Sequence, residues 1–290
     1  MMNHGTDAAG QPEQAPKFPT LPMNYALAPY SGAVWRPTVW AGIEYRDLNL
    51  AEASGGQMGG RHLRAVAMAR FASWGVSEQQ TFLCLFVLSG KLQFTAGDGQ
   101  PVELVWRDTA HVSALRGGLG FEASADFEAL EIAAPAIGTV GIVPHELMQV
   151  GHETPDETRK ANAINRERPE AYALGDGPRS YFLYRDIGAS EQTGRRIHIH
   201  VINATKKMPG GTGWHDHSMS QLFYVLGGSA VVRVEKHGEV RMCPGDAMCI
   251  PAGVDHDVPD FDADYQVLEM CLPGDYSTVN QPRKEIAATV

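Results

Sequence analysis

Long apolar runs are missing from this chain of 290 residues: none approaches the roughly 20 residues needed to cross a bilayer. Cysteine is scarce, with Cys84, Cys243, Cys249 and Cys271 scattered and no CxxC pair. So few thiols exclude a disulfide framework, and the expected compartment is the reducing cytoplasm. Positive charge is in deficit: 24 Lys and Arg face 34 Asp and Glu, a formal net charge of -10. Nucleic acid and anionic membrane surfaces would be repelled at long range, which excludes both as partners. The opening "MMNHGTDAAGQPEQAPKFP" lacks the basic start and apolar core of a secretory signal, and residues 1–30 read as a mobile polar tail. The whole chain, 43% hydrophobic and 20% charged, has the composition of a soluble globular protein.

Helical periodicity is nearly absent as well. "FLCLFVLSGKLQFTAGDGQPVELVW" and "LFYVLGGSAVVRVEKHGEVRMCPGDAMCIP" are short, alternating, strand-like runs broken by Gly, Pro and Asp turns. These two stretches are related. A shift of 138 residues lays "LFVLSG" (85–90) on "FYVLGG" (223–228), Asp108 on Asp246, and "DFEALEIAAPA" (126–136) on "DYQVLEMCLPG" (264–274). Upstream, "EYRDL" (44–48) matches "LYRDI" (183–187) at a shift of 139. A near-constant offset over about 90 residues marks an internal duplication. The predicted fold class is therefore all-β, with two similar barrels or sandwiches in tandem. The expected layout is an N-terminal domain over 31–142, a polar, partly helical linker over 143–180, a C-terminal domain over 181–275 and a tail over 276–290. In the linker, Thr154 is expected to cap a helix begun by Pro155, Asp156 and Glu157.

The second copy holds a set of residues that the first lacks. His215, His217 and Gln221 share parity, so a strand running through them would aim all three at one face. His256 follows in "CPGDAMCIPAGVDHDVPD" and can face them from another strand. Imidazoles with a neutral amide oxygen suit a borderline divalent ion better than Ca or Mg. Manganese, iron, nickel, cobalt and zinc are ions of that kind. Four ligands from one side leave positions open for a substrate. Shifting back by 138 puts Ser77, Gln79, Leu83 and Gly118 at the four places, so the first copy has lost every ligand.

The spacing His215-x-His217-x3-Gln221-x6-Gly228, followed by Gly245-x5-Pro251-x-Gly253-x2-His256, resembles the two sequence motifs of the cupins. The resemblance covers the second copy directly and the first through the duplication. It implies a bicupin, two tandem RmlC-like jelly-roll β-barrels, with one transition metal held by His215, His217, Gln221 and His256. The usual glutamate of the motif is glutamine here, as in the three-histidine, one-glutamine shells of cupin hydroxynitrile lyases and certain dioxygenases. The family implies an enzyme acting on a small organic molecule, with a mononuclear non-haem dioxygenase, an oxidoreductase, favoured, and with it iron or manganese as the favoured metal. A redox-neutral lyase or isomerase is the alternative, followed by a metabolite-binding protein without catalysis.

Several residues accompany the motifs. Phe223, Met248, His200 and Trp214 are candidates for a pocket that receives an aromatic or hydrophobic molecule. His198 and His200 form a second H-x-H on an alternating strand, read mainly as a polar face. Glu131 and Glu269 match between the copies, which favours a structural role. Asp255 and Asp257 are expected at the rim or surface. Exposed barrel edges are compatible with a homodimer, which nothing in the sequence requires.

Overall fold

The computed structural model describes residues 17–139, 141–149, 156–175 and 179–282. Thr154 and Pro155, the expected helix start, lie outside the described residues; a helix does run over Asp156–Ala161. No described helix is long and apolar enough to cross a membrane. The described chain divides into two compact units. One contains residues 32–169 and Ile187–Arg195; the other contains the described residues up to Ser31, Glu170–Asp186, and everything from Arg196.

Each unit is a sandwich of antiparallel sheets, the jelly-roll form. In the N-terminal unit a seven-stranded sheet has the order Ile164–Asn165, Thr109–His111, Phe82–Ser89, Glu128–Ala134, Gly59–Ala65, Ile43–Asp47, Arg36–Pro37. A four-stranded sheet of Ala69–Phe71, Leu119–Ala123, Leu92–Thr95 and Pro101–Leu104 faces it. The C-terminal unit repeats the first sheet strand for strand: Ala26–Ala28, Ala247–Ile250, Ser220–Gly227, Gln266–Leu272, His198–Ala204, Phe182–Asp186, Ala173–Leu174. Its second sheet has five strands: Gly238–Met242, Ala230–Val234, His256–Phe261, His215–His217 and Thr278–Asn280.

Central strands are nearly continuous apolar runs because both of their faces are covered. Phe82–Ser89 and Ser220–Gly227 are each buried over their first six residues. Ala230–Val234 instead alternates buried and half-buried residues, with Val232 and Val234 turned inward, as a half-exposed strand should. After each central strand the turn needs glycine. Gly90 and Gly228 both have φ near +60°, and a Cβ there would come within 2.6 Å of Phe127 N or 2.8 Å of Tyr265 Cα.

The edge strands correct the sequence expectation for residues 17–30. Ala26–Ala28 pairs with Ala247–Ile250 in the C-terminal unit, and Leu21 is fully buried there. Its counterpart in the duplication, Ile164–Asn165, pairs with Thr109–His111 in the N-terminal unit. Each sheet is thus finished by a strand that precedes the other copy in sequence. The duplicated aspartates explain how. Asp108 Oδ1 accepts from Glu167 N at 2.9 Å, and Asp246 Oδ1 accepts from Tyr30 N at 2.7 Å, so each aspartate anchors an arriving segment. Burial of apolar residues, not charge or length, decides that this stretch is ordered: Phe18, Leu21 and Met23 all join the core.

His111, opposite Cys84, is fully buried and donates its Nε2–H to Ile187 O at 2.8 Å. Burial pushes its pKa down to about 4. Above the ordinary value near 6.5 the ring is neutral whether the chain is folded or not, so the N-terminal unit keeps its full stability. Below that the unfolded chain binds a proton that the folded chain refuses, costing up to roughly 3 kcal/mol by pH 4. Urea titrations between pH 7 and 4 should show this loss, and His111→Cys, the residue of the other copy, should flatten it. A second expectation concerns the edge: Leu21→Ala should destabilise the C-terminal unit by about 2–5 kcal/mol, read as an earlier unfolding midpoint.

Candidate metal centre

Three histidines meet inside the C-terminal sandwich. His215 and His256 are direct cross-strand neighbours in the five-stranded sheet, and His217 follows on the same strand as His215. The ring centroids are 4.4 Å apart for His215 and His256, 4.9 Å for His215 and His217, and 5.3 Å for His217 and His256. One donor atom from each lies within 4.8 Å of the others, and all three residues are buried. Gln221 arrives from the opposite sheet, on Ser220–Gly227, with Nε2 at 3.0 Å from His256 Nε2. His215, His217 and Gln221 do not share the one strand that the parity argument assumed; the chain leaves one sheet after His217, turns at Ser218 and Met219, and enters the other sheet before Gln221.

The outward nitrogen of each ring is already engaged. His215 Nδ1 lies 2.7 Å from Gly213 O, His256 Nδ1 2.9 Å from Val254 O, and His217 Nδ1 2.8 Å from Thr278 Oγ1. Donation to these acceptors puts the proton on Nδ1 and leaves each Nε2 with a lone pair for a cation. Burial drives all three pKa values down, to about 2 for His215, helped by the Arg179 charge and by His256. The rings are therefore neutral, as metal ligands must be. Gln221 Oε1 is buried without a hydrogen-bond partner. Such an orphaned oxygen costs roughly 1–3 kcal/mol, and a cation among the three imidazoles would satisfy it. The donor set fits a borderline transition ion.

A cavity of about 120 Å³ opens over the three rings. Phe182, Tyr184, Phe223, Tyr265 and Tyr276 provide flat walls, with Ile202, Val258 and Val267 between them. Arg179, His200, Glu269, Thr212 and Thr278 add further polar groups. Of the four pocket candidates from sequence, Phe223 and His200 line this cavity. Met248 is fully buried in the apolar core, and Trp214 is buried with Arg233 over its ring at 5.4 Å; neither lines the cavity. Asp257 is not a rim charge: it is 2% exposed and paired with Arg233 at 2.8 Å.

Sequence reasoning missed four residues. Thr278 and Tyr276 fell in the expected C-terminal tail, yet Thr278–Asn280 is a strand beside His215–His217. Arg179 fell in the linker. Glu269 was given a structural role because Glu131 matches it, but the partners differ. Glu131 is held by Arg61, with Nε–Oε1 at 2.8 Å, and by Trp74 Nε1 at 2.8 Å. Glu269 Oε2 instead lies 2.7 Å from His200 Nε2, inside the cavity. Comparing cross-strand partners, rather than the glutamates alone, would have separated them.

Residues 206–265 match the family of the cupin domain. No curated protein matches the sequence. The structural likenesses extend over both units. A putative glyoxylate-induced protein from Pseudomonas aeruginosa is 15% identical with a TM-score of 0.60, covering 97% of this chain and 97% of that one. The chain has the fold of these two-barrel structures, and the cupin family model itself matches within the C-terminal unit. Another likeness is the oxalate decarboxylase of Lactobacillus farciminis in a formate complex, at 16% identity, TM-score 0.57 and 88% coverage of each chain. The protein YlbA of E. coli follows at 13% identity and TM-score 0.60, with 94% of this chain and 97% of that chain covered. At such identities the likeness establishes the fold of this chain and nothing about its substrate.

Two substitutions test the centre by elemental analysis and chelator competition. His217→Ala should abolish metal retention in a chain that otherwise carries about one equivalent. Thr278→Val, which only frees His217 Nδ1, should weaken affinity by roughly 10–100-fold without abolishing it.

Proposed function

We propose that the C-terminal barrel is a mononuclear metal-dependent enzyme acting on a small organic molecule with an aromatic or other apolar body and an oxygen-bearing, anionic end. The observation that carries this reading is the convergence of His215, His217 and His256, all buried and neutral, on the floor of a cavity, with buried Gln221 3.0 Å from His256. The cavity volume of about 120 Å³ is near the roughly 150 Å³ that takes up benzene, which limits the substrate to one ring or a short chain. A divalent ion there, iron or manganese first, would supply Lewis acidity and redox capacity.

The chain's own residues supply the rest. Arg179 adds a fixed positive charge beside neutral ligands, so the floor attracts a carboxylate, phenolate or enolate oxygen. The aromatic walls hold the body of the molecule and keep water out. Glu269, backed by His200, stands in the same cavity as a group that can take or return a proton.

That carboxylate–imidazole pair favours a redox-neutral reaction, a lyase or isomerase step in which Glu269 removes a proton near the bound oxygen. A dioxygenase is the second reading, favoured by the five aromatic side chains on the walls, since cleavage of an aromatic guest needs O2. A pocket that only captures a metabolite has little use for a titratable pair beside its floor.

The discriminating experiment offers the manganese- or iron-loaded protein a panel of hydroxy acids, keto acids and hydroxylated aromatic acids in D2O. Deuterium incorporation or cleavage without O2 is expected for at least one, followed by NMR, and Glu269→Gln should slow it by roughly 10²–10⁴-fold. O2 uptake in step with product would move the assignment to a dioxygenase. Saturable binding with neither change would sink the enzyme reading.

A further inference from the structure

The metal centre draws its residues from two sheets, and three residues join them. His217 ends one strand, Gln221 is the second residue of another, and residues 218–220 make the crossing. Apolar packing between sheets is non-directional, so the shape of this crossing sets how far Gln221 lies from the three rings. Both ends of the crossing are tied to one distant segment. Thr20 Oγ1 donates to Ser218 O at 2.7 Å, and Ser220 Oγ donates to Leu21 O at 2.8 Å. Met219, Ser220 and Leu21 are all buried, which shields the second bond from water. Further along the same segment, Ala26–Ala28 pairs with Ala247–Ile250, the strand beside Ser220–Gly227. At its other end Lys17 N donates to Asp275 Oδ2 at 2.7 Å, three residues before the Thr278 that holds His217. We propose that Thr20 and Leu21 are positioning residues of the metal centre: the segment 17–28 clamps the crossing between His217 and Gln221, and tight metal retention requires that segment to be seated. The proposal rests on the metal-binding reading of the site.

The N-terminal barrel makes the same crossing without this clamp. Shifted by 138, Ser218 falls on Gln80, and Ser220 falls on Phe82 at the start of the matching central strand. Gln80 O accepts from Arg116 Nη2 at 2.8 Å, a residue of that barrel itself. Phe82 has no hydroxyl to offer an arriving segment. At the place of Leu21 the carbonyl of Arg159 accepts from Ser113 Oγ at 3.1 Å and Gln192 Nε2 at 2.9 Å instead. The barrel that has lost its ligands holds the crossing from within. The barrel that keeps them holds it with a side chain 198 residues upstream.

Coupling of this kind is reciprocal. If the seated segment tightens the metal, the bound metal must hold the segment more firmly. Full-length protein loaded with zinc tests both directions. In zinc release to excess chelator, Thr20→Val and Ser220→Ala together should raise the rate by roughly 10–100-fold. Thr20→Ser keeps the hydroxyl and should release zinc as the wild type does. Met242→Ala truncates a buried residue on the edge strand of the five-stranded sheet. It should lower the urea midpoint and leave the release rate unchanged, which separates positioning from general loosening. In the wild type, backbone amides over residues 21–28 should exchange hydrogen more slowly with zinc than without it. A double variant that releases zinc at the wild-type rate, or exchange over 21–28 that zinc does not slow, would overturn the clamp with the metal still bound. A wild-type chain that takes up no zinc would overturn the metal-dependent reading itself, and the clamp with it.

Discussion

The pairing of His215 opposite His256 is the constraint on which the centre depends. Antiparallel neighbours hold their Cβ atoms about 4.5–5.5 Å apart on one face, close enough for both imidazoles to reach a single ion. The same backbone then sets the tautomers. His215 and His256 each turn Nδ1 to a carbonyl two residues upstream, on Gly213 and Val254, so local strand geometry alone aims both Nε2 atoms inward. Only His217 needs help from elsewhere, and Thr278 gives it. Gln221 completes the set from the facing sheet, which makes the centre a clasp between the two layers of the sandwich. Such a clasp tolerates little slip: a one-residue change of register would turn His256 away from the interior.

The two barrels act as a comparison within one molecule. Both have the seven-stranded sheet in the same order, the left-handed glycine after the central strand, and the aspartate that anchors the arriving edge strand. What differs is chemical. Where the second barrel has the strand His215–His217, the first has Ser77 and Gln79 outside any strand. Its interior fills instead with stacked rings: Phe71 and Phe121 lie 5.3 Å apart, and Phe94 and Phe121 4.7 Å. Gly118, at the place of His256, leaves no room for more, since a Cβ there would come within 2.9 Å of Phe121. One copy spends its interior on packing and the other on polar groups around a cavity.

Much of this was legible in the sequence because it depends on spacing. The offset between the copies gave the two sandwiches, and the motif gave His215, His217, Gln221 and His256, the three buried histidines and the adjacent amide. The remainder depends on pairing between distant segments, which spacing does not record. Phe18 and Leu21 read as part of a polar tail because prolines and polar residues separate them from other large apolar positions, and their burial arises from the edge strand beside Ala247–Ile250. Glu269 read as structural because its chemistry is set by the residue opposite it. Met248 and Trp214 read as pocket residues from nearness in sequence, while the direction of each side chain sends it elsewhere.

The exchanged edge strands also impose an order on synthesis. Ile164–Asn165 leaves the ribosome soon after Thr109–His111, so the first large sheet can gain its edge almost at once. Ala26–Ala28 has to wait for Ala247–Ile250, 219 residues after Ala28 (247 − 28). At about 5–20 residues per second that delay is on the order of ten to forty seconds. During it Phe18 and Leu21 have no core to enter, and a longer, flatter strand would invite pairing with another nascent chain. Three residues are enough to close a finished barrel and too few to make a good template while the chain is still being made.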